Sequence, residues 1–135
     1  MNYWLIKSEP NSYSWDDLVS EKRTHWDGVR NYAARKHMMD MKVDDLCIFY
    51  HSVNEKQCVG LARVVKEHYP DPTTDDERWI VMDVVPEKPL KNPVSLEMIK
   101  NDERLSEMIL VNNSRLSVQP VKKEEFEIIL EISES

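Results

Sequence analysis

Apolar and polar positions alternate most cleanly in "DLCIFYHSV", residues 45–53. Leu46, Ile48, Tyr50 and Ser52 share one face, while Cys47, Phe49, His51 and Val53 share the other, the period-two pattern of a strand. "NYWLIKS" reads as an opening strand with β-favouring aromatics and Ile6, closed by Pro10. "QCVGLARVVKEHY" follows a polar turn at Asn54 to Lys56, and Gly60 within it predicts a bulge or a close approach by another backbone. "RWIVMDVV" and "RLSVQPV" give two further strands, the second ended by Pro120. Helical signals fall between these runs. Ser14, with Asp17 three residues on, caps a short helix carrying Trp15 and Leu18. Asn31 caps a second, running toward Met39 after a turn at Asp27-Gly28. Ser95 caps "LEMIK", another helical piece is expected around Arg104 to Met108, and "KKEEFEIILEI" closes the chain as an amphipathic helix. Strands and helices do not alternate as in a βαβ fold. The pattern predicts an α+β domain with a curled, barrel-like sheet and flanking short helices.

Composition narrows the function classes. At 135 residues the chain fits one domain, residues 1–135, around one core. An apolar share of 41% with four tryptophans supports a folded globule, and a charged share of 32% a soluble one. No apolar run approaches the roughly 18 residues that cross a bilayer, and no basic, apolar-cored signal opens the sequence. A cytosolic protein is expected, or a nuclear one in a eukaryote. Cys47 and Cys58 form no C-x-x-C pair and read as buried thiols. The four histidines show no metal-ligand spacing, so no metal and no cofactor is expected. With only Gly28 and Gly60, the chain has neither a Walker A loop nor a Rossmann fingerprint.

Charge is unevenly spread. The formal net charge is −7, which disfavours loose binding to nucleic acid. Yet residues 22–37 hold Lys22, Arg23, Arg30, Arg35 and Lys36 against Asp27 alone, a local balance of +4. One phosphate-facing patch on an otherwise repulsive surface is compatible with that distribution.

Three segments place polar and aromatic groups where a plain core needs none. In "LIKSEP", Lys7, Ser8 and Glu9 stand at a strand end, where sites often lie. A Ser–Lys nucleophile lacks its usual spacing, since adjacent strand residues point to opposite faces. In "HWDGVRNYAARKHMM", Trp26 lies in an expected loop beside Asp27-Gly28, and Arg30 and Asn31 follow at a helix start that favours anions. In "FYHS", Tyr50, His51 and Ser52 close a strand; His51 has no identifiable nucleophile to serve, and a hydrogen-bonding role is the simpler one. Arg115, Ser117 and Gln119 share one face of the late strand, either as solvated padding or as a polar pocket lining.

"YWLIKSEP", "WDGVRNYAAR", "MKVDDLCIFYHS", "VGLARVVKEHYPDPT", "RW" and "RLSVQPV" occur in the order found in the EVE domain family. The chain resembles that family along nearly its whole length. The family belongs to the PUA-like superfamily and is similar to the YTH readers of methylated adenine in RNA. The resemblance implies a PUA-like β-barrel with flanking helices, and a pocket between the sheet and the "WDGVRNY" region that accepts one flipped, often modified, base. Asp44 departs from the usual glycine of the M-K-V-G-D turn, and Val111-Asn112-Asn113 stands where relatives commonly carry a more basic, glycine-containing turn.

Together these readings predict a non-catalytic reader of a modified base in DNA or RNA. Trp26 and Tyr50 are its expected stacking walls. Lys7, Ser8, Asn31, His51, Ser52 and Ser117 are its polar contacts, and Arg30, Arg35, Lys36 and Arg115 its phosphate contacts. The alternatives are an enzyme on a small nucleotide-like substrate, using Ser8, Lys7 or His51, and a protein-interaction domain with an acidic docking face.

Overall fold

A computed structural model describes every residue except Ser114. Among the described residues six strands form one sheet: β1 (Tyr3–Ser8), β2 (Thr24–His25), β3 (Leu46–His51), β4 (Gln57–Pro70), β5 (Ile80–Ser95) and β6 (Val118–Val121). Their spatial order is β2-β5-β4-β3-β1-β6. β1 and β3 run parallel, and the other neighbours are antiparallel. Flanking the sheet are the helices α1 (Trp15–Glu21), α2 (Tyr32–Asp40), α3 (Leu96–Lys100), α4 (Ile109–Asn112) and α5 (Lys123–Glu134).

The expected alternation in β3 decides the layering. Cys47 and Phe49 join Trp4 and Ile6 in one core under α1 and α2, which contribute Trp15, Leu18, Ala34 and Met38. Ile48 and Tyr50 join Leu5 in a second core on the opposite face, covered by Ile99, Leu110, Phe126 and Ile129 of α3, α4 and α5. A sheet buried on both faces explains why β3 is apolar at almost every position.

The caps form as the sequence implies. Ser14 Oγ accepts from the Asp17 amide while Asp17 accepts from the Ser14 amide, and Asn31 Oδ1 accepts from the Ala34 amide. Each satisfies amides that the first helical turn leaves without partners. Asp45, 2% exposed, ties the N-terminus to the turn before β3 by accepting from the Asn2 amide, the Trp4 indole and the Lys42 amide.

Three expectations change. The sheet is open rather than barrel-like: β2 and β6 stand at its two ends and, among the described residues, do not pair with each other. With two and four residues, these edges are too short to close a ladder. Pro120 lies within β6 instead of ending it, as an edge strand allows. The piece expected at Arg104 to Met108 is reduced to a 3-10 turn, Glu103–Leu105, and α4 begins only after it.

Both glycines and Asp44 have structural reasons. The β4–β5 register shifts between Cys58 and Gly60, so the predicted bulge is present. What approaches closely is a side chain, not a backbone: a Cβ at Gly60 would lie 2.6 Å from the Trp15 indole. Gly28 and Asp44 both take left-handed backbone, at φ 77° and 78°. The family's glycine position is therefore one that needs positive φ, and aspartate is among the few other residues that tolerate it.

Candidate functional site

A cleft of about 790 Å³ opens where β1 ends, within the range of small-ligand pockets. Lys7, Ser8 and Glu9 form one side. Ser12 and Tyr13 lead into α1, whose last residue, Glu21, also lines it. The segment from Thr24 to Arg30 forms the facing wall, and Ser117 lies at the base of β6. The positive φ of Gly28 turns that wall, and open space surrounds its missing side chain.

Trp26 lines the cleft from within the core. It is 7% exposed, and its ring meets Phe49 edge-on at 5.5 Å and Tyr13 at 6.2 Å. Its amide donates to Met82 O at 2.8 Å, extending the short β2 pairing. Ser8 Oγ donates to Tyr13 O at 2.5 Å and fixes the chain as it leaves β1. The Tyr13 hydroxyl is itself buried near Thr24 and Glu21, without a hydrogen-bond partner of normal geometry among the described residues. Burial, chiefly, pushes its pKa up to about 12. Lys7 reaches to 6.0 Å from the Tyr50 ring centroid, and burial lowers the pKa of its ammonium. Glu9, Glu21 and Asp27 add carboxylates to the rim, and His25 Nε2 lies 3.4 Å from Asp27.

Of the residues expected at the site, Lys7, Ser8, Trp26, Arg30 and Ser117 converge here. The others do not line the cleft. Tyr50 belongs to the opposite core, so it cannot face Trp26 across a bound ring. His51 is 7% exposed; its Nε2 accepts from the Trp15 amide at 3.0 Å, and its Nδ1 pairs with Glu55 at 2.8 Å. It is a structural clasp on α1, and its hydrogen bond lowers the pKa of Glu55. Ser52 joins β1 through its amide to Ser8 O, and Asn31 is occupied as a cap. Ser8 and His51 are register partners, yet each hydrogen-bonds elsewhere, so no nucleophile–base pair is formed.

Two members of the basic run are neutralised. Arg23 holds Asp83, which also accepts from Tyr69. Arg30 holds the fully buried carboxylate of Asp71 at 3.1 Å. Burial alone would raise the Asp71 pKa; the Thr73 hydroxyl and amide and the Arg30 guanidinium reverse that and hold it below the usual carboxylate value. Arg35 is half-buried, and Lys36 and Arg115 are exposed away from the cleft lining. Sequence reasoning missed Tyr13, Glu21, Thr24 and His25, since nothing in a lone strand end or helix terminus reports what it folds against.

Among the described residues no group of three His, Cys, Asp or Glu side chains is arranged to hold a metal. Among those residues, too, no helix is long and apolar enough to cross a membrane.

The chain belongs to the EVE domain family, whose model matches residues 2–132. Thymocyte nuclear protein 1 of Mus musculus is 40% identical over 169 aligned positions, covering 99% of this chain and 74% of that protein. Since this chain has 135 residues, the mouse relative carries inserted segments within the match. A crystal structure of a protein from Agrobacterium tumefaciens superposes with a TM-score of 0.96 at 40% identity, covering 98% of this chain and 93% of that one. Human THYN1, solved in complex with 5-methylcytosine-containing DNA, superposes with a TM-score of 0.93 at 32% identity, covering 100% and 99%. The fold is therefore PUA-like, like that of human THYN1.

Proposed function

We propose that this domain is a non-catalytic reader of modified cytosine in DNA, taking one extruded base into the cleft beside Trp26. The observation that carries this reading is the cleft's mixed lining in a chain superposing along its whole length on a relative bound to 5-methylcytosine DNA. A base needs a flat apolar wall and a few edge contacts. Trp26 and Val29 supply the apolar part, and Ser117 and Lys7 the polar part. The carboxylates of Glu9, Glu21 and Asp27 suit a base that presents an amino group, as cytosine does at N4. They disfavour phosphate at the cleft, which leaves the strand backbone to the exposed Lys36 and Arg115.

The test compares matched oligonucleotides carrying 5-methylcytosine, cytosine or thymine at one position, by fluorescence anisotropy. A fitted methyl contributes about 1–3 kcal/mol, so the methylated strand binds about tenfold or more tighter than its cytosine twin. Thymine keeps the methyl but replaces the amino group by a carbonyl, and binds more weakly than 5-methylcytosine. Equal affinity for all three would refute the reading.

A further inference from the structure

We propose that Tyr32 is a stacking ledge for the nucleobase next to the one held in the cleft, an inference that rests on the base-reading function above. Tyr32 opens α2 and is 57% exposed, unusual for so large a ring. It is not loose. Its ring lies 5.3 Å from that of Trp79 at 32°, and its hydroxyl accepts from Arg78 Nη1 at 3.2 Å. Trp79 is itself 8% exposed and carries the Arg30 and Arg78 guanidiniums, each 5.6 Å from its ring centroid. The loop beneath is closed by the Trp79 amide to Asp76 O and by the Asp71 amide to Trp79 O. The outer part of the Tyr32 ring is thus an exposed aromatic surface on a rigid base, the form that accepts a nucleobase at low ordering cost.

Two features select a base over a phosphate or a protein surface. Arg30 lines the cleft and also lies over Trp79, so the ledge begins where the cleft wall ends. Both guanidiniums are already matched by acids, Arg30 by Asp71 and Arg78 by Asp76. The ledge therefore offers an aromatic face with little net charge, which suits a stacked ring and contributes little to salt dependence.

The test uses a short single strand with one 5-methylcytosine, whose neighbours are either normal nucleotides or abasic residues. The wild-type protein binds the normal strand about tenfold tighter than the abasic-flanked one, equivalent to about 1.4 kcal/mol. Tyr32→Ala binds both strands equally, at the level of wild type on the abasic-flanked strand. Tyr32→Phe, which loses the Arg78 contact but keeps the ring, retains most of the difference. Circular dichroism melting confirms that each variant is folded before it is titrated. A Tyr32→Ala protein that still distinguishes the two strands, or that loses affinity for both alike, overturns the ledge. A wild-type protein that senses the flanking bases but binds the unmethylated cytosine twin of the normal strand equally well overturns the base-reader reading alone. One that binds neither strand overturns both.

Discussion

Replacing Trp26 by alanine separates two roles that the indole holds at once. It lines the cleft, yet it is 7% exposed and braced edge-on by Phe49 and Tyr13. Truncating a buried tryptophan costs about 3–5 kcal/mol, and each aromatic pair adds about 0.5–1.5 kcal/mol beyond area burial. The loss therefore lies at the upper end, about 4–5 kcal/mol. For a domain of this size that lowers the midpoint of thermal unfolding by about 10–20 °C. A ring that served only as a stacking wall would instead cost about 1–3 kcal/mol of binding and leave the melt unchanged. Melting by circular dichroism, followed by titration with the 5-methylcytosine strand well below the variant's midpoint, reads both. Trp26→Phe recovers part of the stability by keeping a ring against Phe49. A Trp26→Ala protein that melts like wild type would refute the core assignment.

Two further outcomes concern stability. Gly60→Ala puts a methyl 2.6 Å from the Trp15 indole, an overpacking that lowers stability by about 1–3 kcal/mol or more in urea unfolding; in the Trp15→Leu background the same change costs less, and equal costs would refute the steric account. Asp71 has a folded pKa held below its ordinary value, so its stabilisation is complete above the ordinary carboxylate range and is lost as pH falls through the folded value. Asp71→Asn is therefore less stable by about 1–3 kcal/mol at neutral pH, and its stability falls less steeply than wild type's on acidification; identical acid limbs would refute the assignment.

The strands were legible because burial on two faces writes itself into alternation, as at Cys47, Phe49 and Ile48, Tyr50. Caps were legible because Ser14 and Asn31 act on amides three residues away. The site was legible only where a residue's own segment forms the wall, as for Lys7, Ser8 and Trp26. Tyr50 and His51 misled because polar tips at a strand end look alike whichever face they occupy. Their positions depend on the parallel partner β1 and on the docking of α1. The ion pairs of Arg23 and Arg30 were not legible for a related reason: their acidic partners, Asp83 and Asp71, lie far along the chain.

Because β1 and β3 lie side by side in the same direction, the chain between Glu9 and Asp45 must arch over one face of the sheet before the two strands can meet. Most of the cleft belongs to that arch. On the ribosome the arch emerges first, while Phe49 and Gly60, which later receive Trp26 and Trp15, are still inside the exit tunnel. A nascent chain of this domain thus carries Trp4, Trp15 and Trp26 without the strands that bury them, a surface open to chaperones and to self-association. The cleft is therefore a late product of synthesis, and slowing translation between the arch and β4 lengthens the interval in which the protein is most exposed to misassembly.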